Sequence, residues 1–194
     1  MNATHPDIDL AARAASGDNA AWREIYTSTR DRVFALLSYH IGNHDEALDV
    51  LQDTYTAAVR GIERYHGGGS LESWICGIAL RRARDWKRRF LRRFKQTEAL
   101  EDQPERNPSE VHPQPDPELG HRLRTALAEL PEKQRGALLL HEYMGFPFKD
   151  VAVALGVSEA TARVHCFRAR EATRARLVAS PASAESTAMQ EQQS

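Results

Sequence analysis

Cysteine is scarce in this chain. Cys76 and Cys166 are the only two in 194 residues. They lie far apart, each within a helical pattern, so they supply no disulfide framework and suit a reducing compartment. Aromatic residues make up 7% of the sequence, so a core has to be built mainly from Leu, Val, Ile and Ala. No apolar run approaches the roughly 18–20 residues that span a bilayer, which excludes direct membrane insertion. The N-terminal stretch MNATHPDIDLAARAASGD has no basic segment followed by an apolar one, so it does not read as a secretory signal. A cytoplasmic protein is expected. Alternation of period two is also missing, and no strand is predicted. No Gly-rich phosphate loop precedes a helix and no nucleophile elbow occurs. His40, His44, His66, His121, His141 and His165 have no metal-ligand spacing with the cysteines. These gaps weigh against an enzyme: no catalytic residue, no cofactor and no metal is expected.

Charge, by contrast, is plentiful and unevenly placed. The formal net charge of −1 averages 26 basic against 27 acidic residues. Residues 81–95, RRARDWKRRFLRRFK, are almost solidly basic. Residues 101–118 carry Glu101, Asp102, Glu105, Glu110, Asp116 and Glu118 against a lone Arg106. Such segregation points to a polyanionic partner for one segment and not the other. The acidic stretch is also proline-rich and poor in apolar side chains, so burial cannot offset its conformational entropy. It predicts a flexible linker over 96–117 between an N-terminal module, 9–95, and a C-terminal one, 118–178. The small polar residues of 179–194 read as a disordered tail.

Every convincing period is helical. Asp18 can cap a helix carrying Trp22, Ile25, Tyr26, Val33, Leu36 and Leu37, which Gly42 stops. The next helix sets Leu48, Leu51, Tyr55, Ala58 and Val59 on one side. After the HGGG break, Ser70 can cap a third long helix that turns Leu71, Trp74, Ile75, Ile78 and Trp86 toward a core. A compact bundle of three or four helices follows. In the second module Leu119, Leu123, Leu127 and Leu130 recur at helical spacing. Pro131 opens a helix with Leu138, Leu139 and Tyr143 that ends at Gly145. The expected class is all-α: two small helical domains joined by a flexible linker.

The segment FKDVAVALGVSEATARVHCFRARE has the spacing of a helix-turn-helix. Val151, Leu155 and Val157 supply apolar contacts, and Ala152 sits where two helices cross. Gly156 is at the turn, where a positive φ suits glycine. Ser158 can cap the second helix, with Ala162, Cys166 and Ala169 inward. Glu159, Ala160, Arg163, Val164 and Phe167 point outward, with Arg168 and Arg170 beyond. Such a helix suits a major groove, its N-terminal half meeting base edges and its arginines phosphates. Alone, the motif does not separate a promoter-reading polymerase subunit from an activator or repressor.

Three further blocks carry a resemblance. GDNAAWREIYTSTRDRVFALLSYHIGN resembles the first helix pair of the polymerase-binding region of extracytoplasmic-function (ECF) RNA polymerase sigma factors, members of the sigma-70 family. HDEALDVLQDTYTAAV is similar to that family's acidic helix, with Asp49, Gln52 and Asp53. GGGSLESWICGIALRRARDWKRR resembles the helix that reads the promoter −10 element, and the C-terminal module resembles the −35-reading region. The match spans about residues 16–177. It implies a sigma region 2-like bundle and a sigma region 4-like helix-turn-helix domain. One departure is that Ala162 and Cys166 stand where the family usually carries larger aliphatic residues. Cys166 reads as a small buried hydrophobe.

The resemblance implies roles that the chemistry of each block fits. Asp49, Gln52 and Asp53, at i, i+3 and i+4, share one helix face. In the family this face binds the coiled coil of the largest polymerase subunit. Arg81, Arg84, Lys87 and Arg88 would hold −10 DNA, with Trp86 either stacking on a base or belonging to the core. The loop Glu63–Ser70 would take a base turned out of the stack, and Tyr65 and His66 could contact it. Ser158, Glu159, Ala160, Arg163, Val164, Phe167 and Arg168 would meet the −35 element. The implied partners are core RNA polymerase, promoter DNA and an anti-sigma factor. The strongest rival is a helix-turn-helix activator or repressor that is not a polymerase subunit.

Overall fold

A computed structural model describes residues 6–97 and 117–178. Residues 98–116, most of the predicted linker, and the predicted tail 179–194 lie outside it. Every regular element among the described residues is helical.

Among the described residues the N-terminal module holds four α-helices and a 3-10 turn at Ile62–Arg64. Helix α1, Pro6–Ala15, had no expectation from the sequence and begins before the expected module start at residue 9. Its proline sits at the first helical position and Asp7 and Asp9 lie in its first turn, both favourable at a helix start. Helix α2, Asn19–Ile41, opens where Asp18 accepts from the amides of Ala20 and Ala21 at 2.8 and 3.2 Å. It closes at Gly42, whose φ of 78° only glycine adopts at little cost. Helix α3, His44–Gly61, is capped by Asn43, which accepts from Glu46 N at 3.0 Å. Helix α4, Leu71–Thr97, follows Ser70, whose Oγ accepts from Ser73 N at 3.2 Å.

The buried row of α3 is Ala47, Val50, Leu51, Thr54, Tyr55 and Ala58. This corrects the expected face. Leu48 and Val59 are 43% and 53% exposed, because the helical period counted from Ala47 carries them past the edge of the apolar arc. Small alanines hold the close-contact positions instead. Tyr26, also expected inward, is exposed, though its ring meets Tyr55 edge-on at 4.8 Å. The Tyr55 hydroxyl shares a hydrogen with Thr29 Oγ1 at 2.7 Å, so the buried phenol is satisfied.

The C-terminal module comprises α5 (Pro117–Ala128), α6 (Glu132–Leu138), a π-helical turn (Leu139–Tyr143), α7 (Phe148–Leu155) and α8 (Glu159–Val178). Pro131 precedes α6, and Gly145 and Gly156 turn the chain at φ of 73° and 61°. Leu127 and Leu130 are buried, whereas Leu119, expected in the same row, is exposed. The π turn, at which Met144 N reaches back to Leu139 O at 3.0 Å, had no expectation from the apolar spacing.

The two modules are not held apart. One apolar core runs through both, and α4 packs on α2 and α3 on one side and on α7 on the other. Residues 75–80 of α4 are therefore buried all round. Two modules hanging on a tether would leave half of that surface in water.

Candidate nucleic-acid interface

Asp49, Gln52 and Asp53 are all exposed on α3. With Glu46, Trp86, Arg89 and Phe90 they line a concavity of about 370 Å³ between α3 and α4. Trp86 packs its ring on Phe90 at 5.2 Å and donates from Nε1 to Glu46 Oε2 at 2.5 Å. It is a partly buried wall of this concavity, so of the two expectations for Trp86 the packed one describes its surroundings. Arg89 approaches Asp53 at 3.8 Å. Exposed Leu48 adds an apolar edge beside the acids.

Along α4, Arg81, Arg82, Arg84, Lys87, Arg88, Arg89 and Arg92 are exposed. Among them Arg88 meets Asp85 at 2.5 Å, Arg89 approaches Asp53 at 3.8 Å, and Arg84 lies 3.9 Å from Glu132 of α6. Burial of its stem and the neighbouring Arg84 and Arg82 charges lower the pKa of Arg81. Cations crowded on one helix edge attract phosphates, with a steep salt dependence.

The loop before α4 departs from expectation. Tyr65 is buried, not presented to solvent. Its hydroxyl donates to Gly69 O at 2.8 Å and its ring meets Trp74 edge-on at 6.0 Å. Burial, then the carboxylates of Asp7 and Asp150, push the phenol up to about 12. Tyr65 fixes the loop and has no free face for a base. His66 is exposed. Two residues missed by the sequence reading cover the rest. Asp7 Oδ2 accepts from Leu71 N at 2.8 Å, and Asp150 Oδ2 accepts from Ser70 Oγ at 2.6 Å. No local pattern marks either, since both come from outside the loop's own segment.

Helix α8 carries the other candidate surface. Ser158 Oγ accepts from Thr161 N at 3.1 Å, a side-chain cap. Ala162, Cys166 and Ala169 are fully buried, and their small size seats α8 close to α6 and α7. Burial and the Glu142 carboxylate raise the Cys166 thiol, which behaves as a small core residue. Outward lie Glu159, Ala160, Arg163, Val164, Phe167 and Arg168. Phe167 is 62% exposed, a large apolar side chain with no core to enter. Arg163 is held, not free. It meets Glu159 at 2.5 Å and lies 4.6 Å above the Phe148 ring. Arg170 is tied to Glu142, which holds that carboxyl below its usual range.

Comparison with known proteins agrees with the all-helical fold in two regions. Residues 25–94 match the family "Sigma-70 region 2" and residues 120–172 match "Sigma-70, region 4". The chain is 33% identical over 168 residues to the ECF RNA polymerase sigma factor SigE of Mycolicibacterium smegmatis, covering 82% of this chain and 64% of that protein. It is 30% identical over 168 residues to ECF RNA polymerase sigma factor SigM of Mycobacterium tuberculosis, covering 84% of this chain and 81% of the relative. Among solved structures, the sigma factor RpoE in complex with the anti-sigma factor NepR from Bartonella quintana superimposes with a TM-score of 0.65 at 21% identity. That match covers 81% of this chain and 96% of the other. CnrH in complex with the cytosolic domain of CnrY gives 0.64 at 23% identity, covering 89% and 97%. Two sigma-70 regions in order, with a relative matched over four-fifths of its own length, make this chain a member of the ECF RNA polymerase sigma factors.

Proposed function

We propose that the chain is the promoter-specifying subunit of RNA polymerase. It docks on core enzyme through Asp49, Gln52 and Asp53, engages the −10 element through the α4 cations and the 63–70 loop, and reads the −35 element with α8. The polymerase performs the chemistry, and the chain supplies binding surfaces. The observation that carries the reading is the separation of charge on the folded surface. An acidic concavity at α3 suits a basic protein partner, while a cationic edge on α4 and an exposed, arginine-flanked α8 suit DNA. Within α8, Arg163 held beside Phe148, with Val164 and Phe167, would meet base edges, and Arg168 would meet phosphate. His66 supports the loop's role as its exposed ring.

An anti-sigma factor is the proposed regulator; the sigma factor RpoE structure described above is a complex with the anti-sigma factor NepR. No helix among the described residues is long and apolar enough to cross a membrane, and the proposed site of action is the cytoplasm. Run-off transcription with sigma-free core polymerase on a genomic promoter library tests the function. Promoter-specific transcripts that require this chain are expected. Tight operator binding with no core association would instead favour an independent activator or repressor.

A further inference from the structure

We propose that Phe148 and His141 are positioning residues for Arg163, holding its guanidinium where it reads one guanine of the −35 element. This rests on the reading of α8 as the −35 helix and adds what gives that helix its base discrimination. Arg163 is the first arginine of α8, and its side chain is 59% exposed. An exposed arginine ordinarily samples many rotamers, and ordering it on DNA costs entropy. Arg163 is already constrained twice. Glu159, one turn earlier, accepts from its Nη2 at 2.5 Å, which commits one edge of the guanidinium. The Phe148 ring lies 4.6 Å from its Cζ, which limits how the group can turn. A guanidinium carries five donors, and among the described residues only the Glu159 contact uses any of Arg163's. Bidentate pairing with guanine O6 and N7 in the major groove needs a defined guanidinium geometry, whereas a phosphate contact carries no sequence information.

The support behind Phe148 comes from two other places in the module. Pro147 precedes it at a φ of −63°, so Phe148 opens α7 on a restricted backbone. His141, on the π-helical turn, stacks on the phenyl ring at 3.9 Å and 26°. Its own ring is fixed by Nδ1, which donates to Phe146 O at 2.8 Å. A carbonyl oxygen only accepts, so that nitrogen carries the hydrogen. The support therefore runs from the Phe146 carbonyl through His141 and Phe148 to Arg163. Phe148 is half-buried and packs against the apolar core, so it does not follow the arginine into solvent. A phenyl ring that served only to fill the core would have no use for two polar planar groups against it, and here an imidazole and a guanidinium both lie there.

Competition binding of holoenzyme to promoter duplexes carrying each base substitution in the −35 element measures discrimination position by position. Arg163→Ala identifies the base pair that Arg163 reads. At that pair Phe148→Leu, which keeps apolar bulk and removes the π face, should lower discrimination about two- to fivefold, the range of an exposed cation–π contact. Affinity for unrelated duplex and its salt dependence should stay within about twofold of wild type, since phosphate attraction does not need the ring. Phe148→Tyr should restore discrimination. The double variant Phe148→Leu with Arg163→Ala should discriminate no worse than Arg163→Ala alone, whereas a ring acting only through packing would add its own loss. Wild-type discrimination in Phe148→Leu, multiplied losses in the double variant, or no rescue by tyrosine would overturn the positioning role. Base preferences left intact by Arg163→Ala would overturn the −35 reading of that arginine as well. Nuclear magnetic resonance of the full chain needs no polymerase: the Arg163 side-chain protons should show a ring-current shift in wild type and Phe148→Tyr that is lost in Phe148→Leu. Its absence from wild type would remove the contact on which the proposal stands.

Discussion

Removing the carboxylates of Asp49 and Asp53 tests the proposed docking surface without disturbing the fold. Both side chains are exposed, and the only ion pair either makes among the described residues, Asp53 with Arg89 at 3.8 Å, joins two half-exposed groups and contributes little to stability. Asp49→Ala and Asp53→Ala should therefore change folding stability by less than about 0.5 kcal/mol. Binding is different. A hydrogen bond to a charged group across an interface contributes about 1.5–3 kcal/mol, and about 1.4 kcal/mol is a factor of ten. Each substitution should weaken core-polymerase affinity about 10- to 100-fold at low salt. The gap between variant and wild type should narrow as salt rises, since surface charge pairs are screened. Fluorescence anisotropy of labelled chain titrated with core enzyme measures both, alongside urea unfolding. Unfolding curves that superimpose while core affinity stays within about twofold of wild type would refute the assignment.

Other outcomes follow from individual residues. Arg163→Ala should reduce transcription from promoters with a matched −35 element by about 1–3 kcal/mol of discrimination and relax preference at one base position; an equal loss on every sequence would assign it to phosphate contact. Asn43→Ala removes the α3 cap and should lower stability by about 1 kcal/mol in urea unfolding, with the helix otherwise retained. His40 should make stability pH-dependent. Its Nε2 lies buried without a partner, with Arg135 of α6 and Lys87 of α4 facing it and Leu36 O 3.3 Å from Nδ1. Burial, then the Arg135 charge, hold it down to about 3, against 6.5 for a free histidine. A depressed folded pKa means the unfolded chain binds the proton first. Its contribution is therefore intact above pH 6.5 and is lost toward pH 3, at up to about 1.4 kcal/mol per pH unit. Replacing His40 with Gln should flatten that part of the urea-midpoint profile, and an identical slope would contradict it.

How legible these surfaces were depended on how local their determinants are. Asp18, Gly42, Ser70, Gly156 and Ser158 end or start helices through contacts within three or four residues, so each could be read along the chain. The inward set Ala162, Cys166 and Ala169 followed from the helical period alone. The α3 face was read about one position off because Leu48 and Val59 outweigh Ala47 in hydrophobicity, while packing against α2 and α4 selects for small size. A signal for the module contact was present and unused. The run SWICGIAL is apolar on every side, and such a helix needs cover on every side.

Sequence alone determined the helical class, the two modules, the acidic and basic faces and the capped, outward-facing row of α8, because period, capping and charge act over a few residues. Tertiary structure alone decided that Tyr65 turns inward, that Asp7 and Asp150 close the start of α4, and that Gly77 meets the Ala154 backbone. Those contacts join residues from separate segments, and whether a polar side chain faces water or a buried partner depends on which helix arrives opposite it.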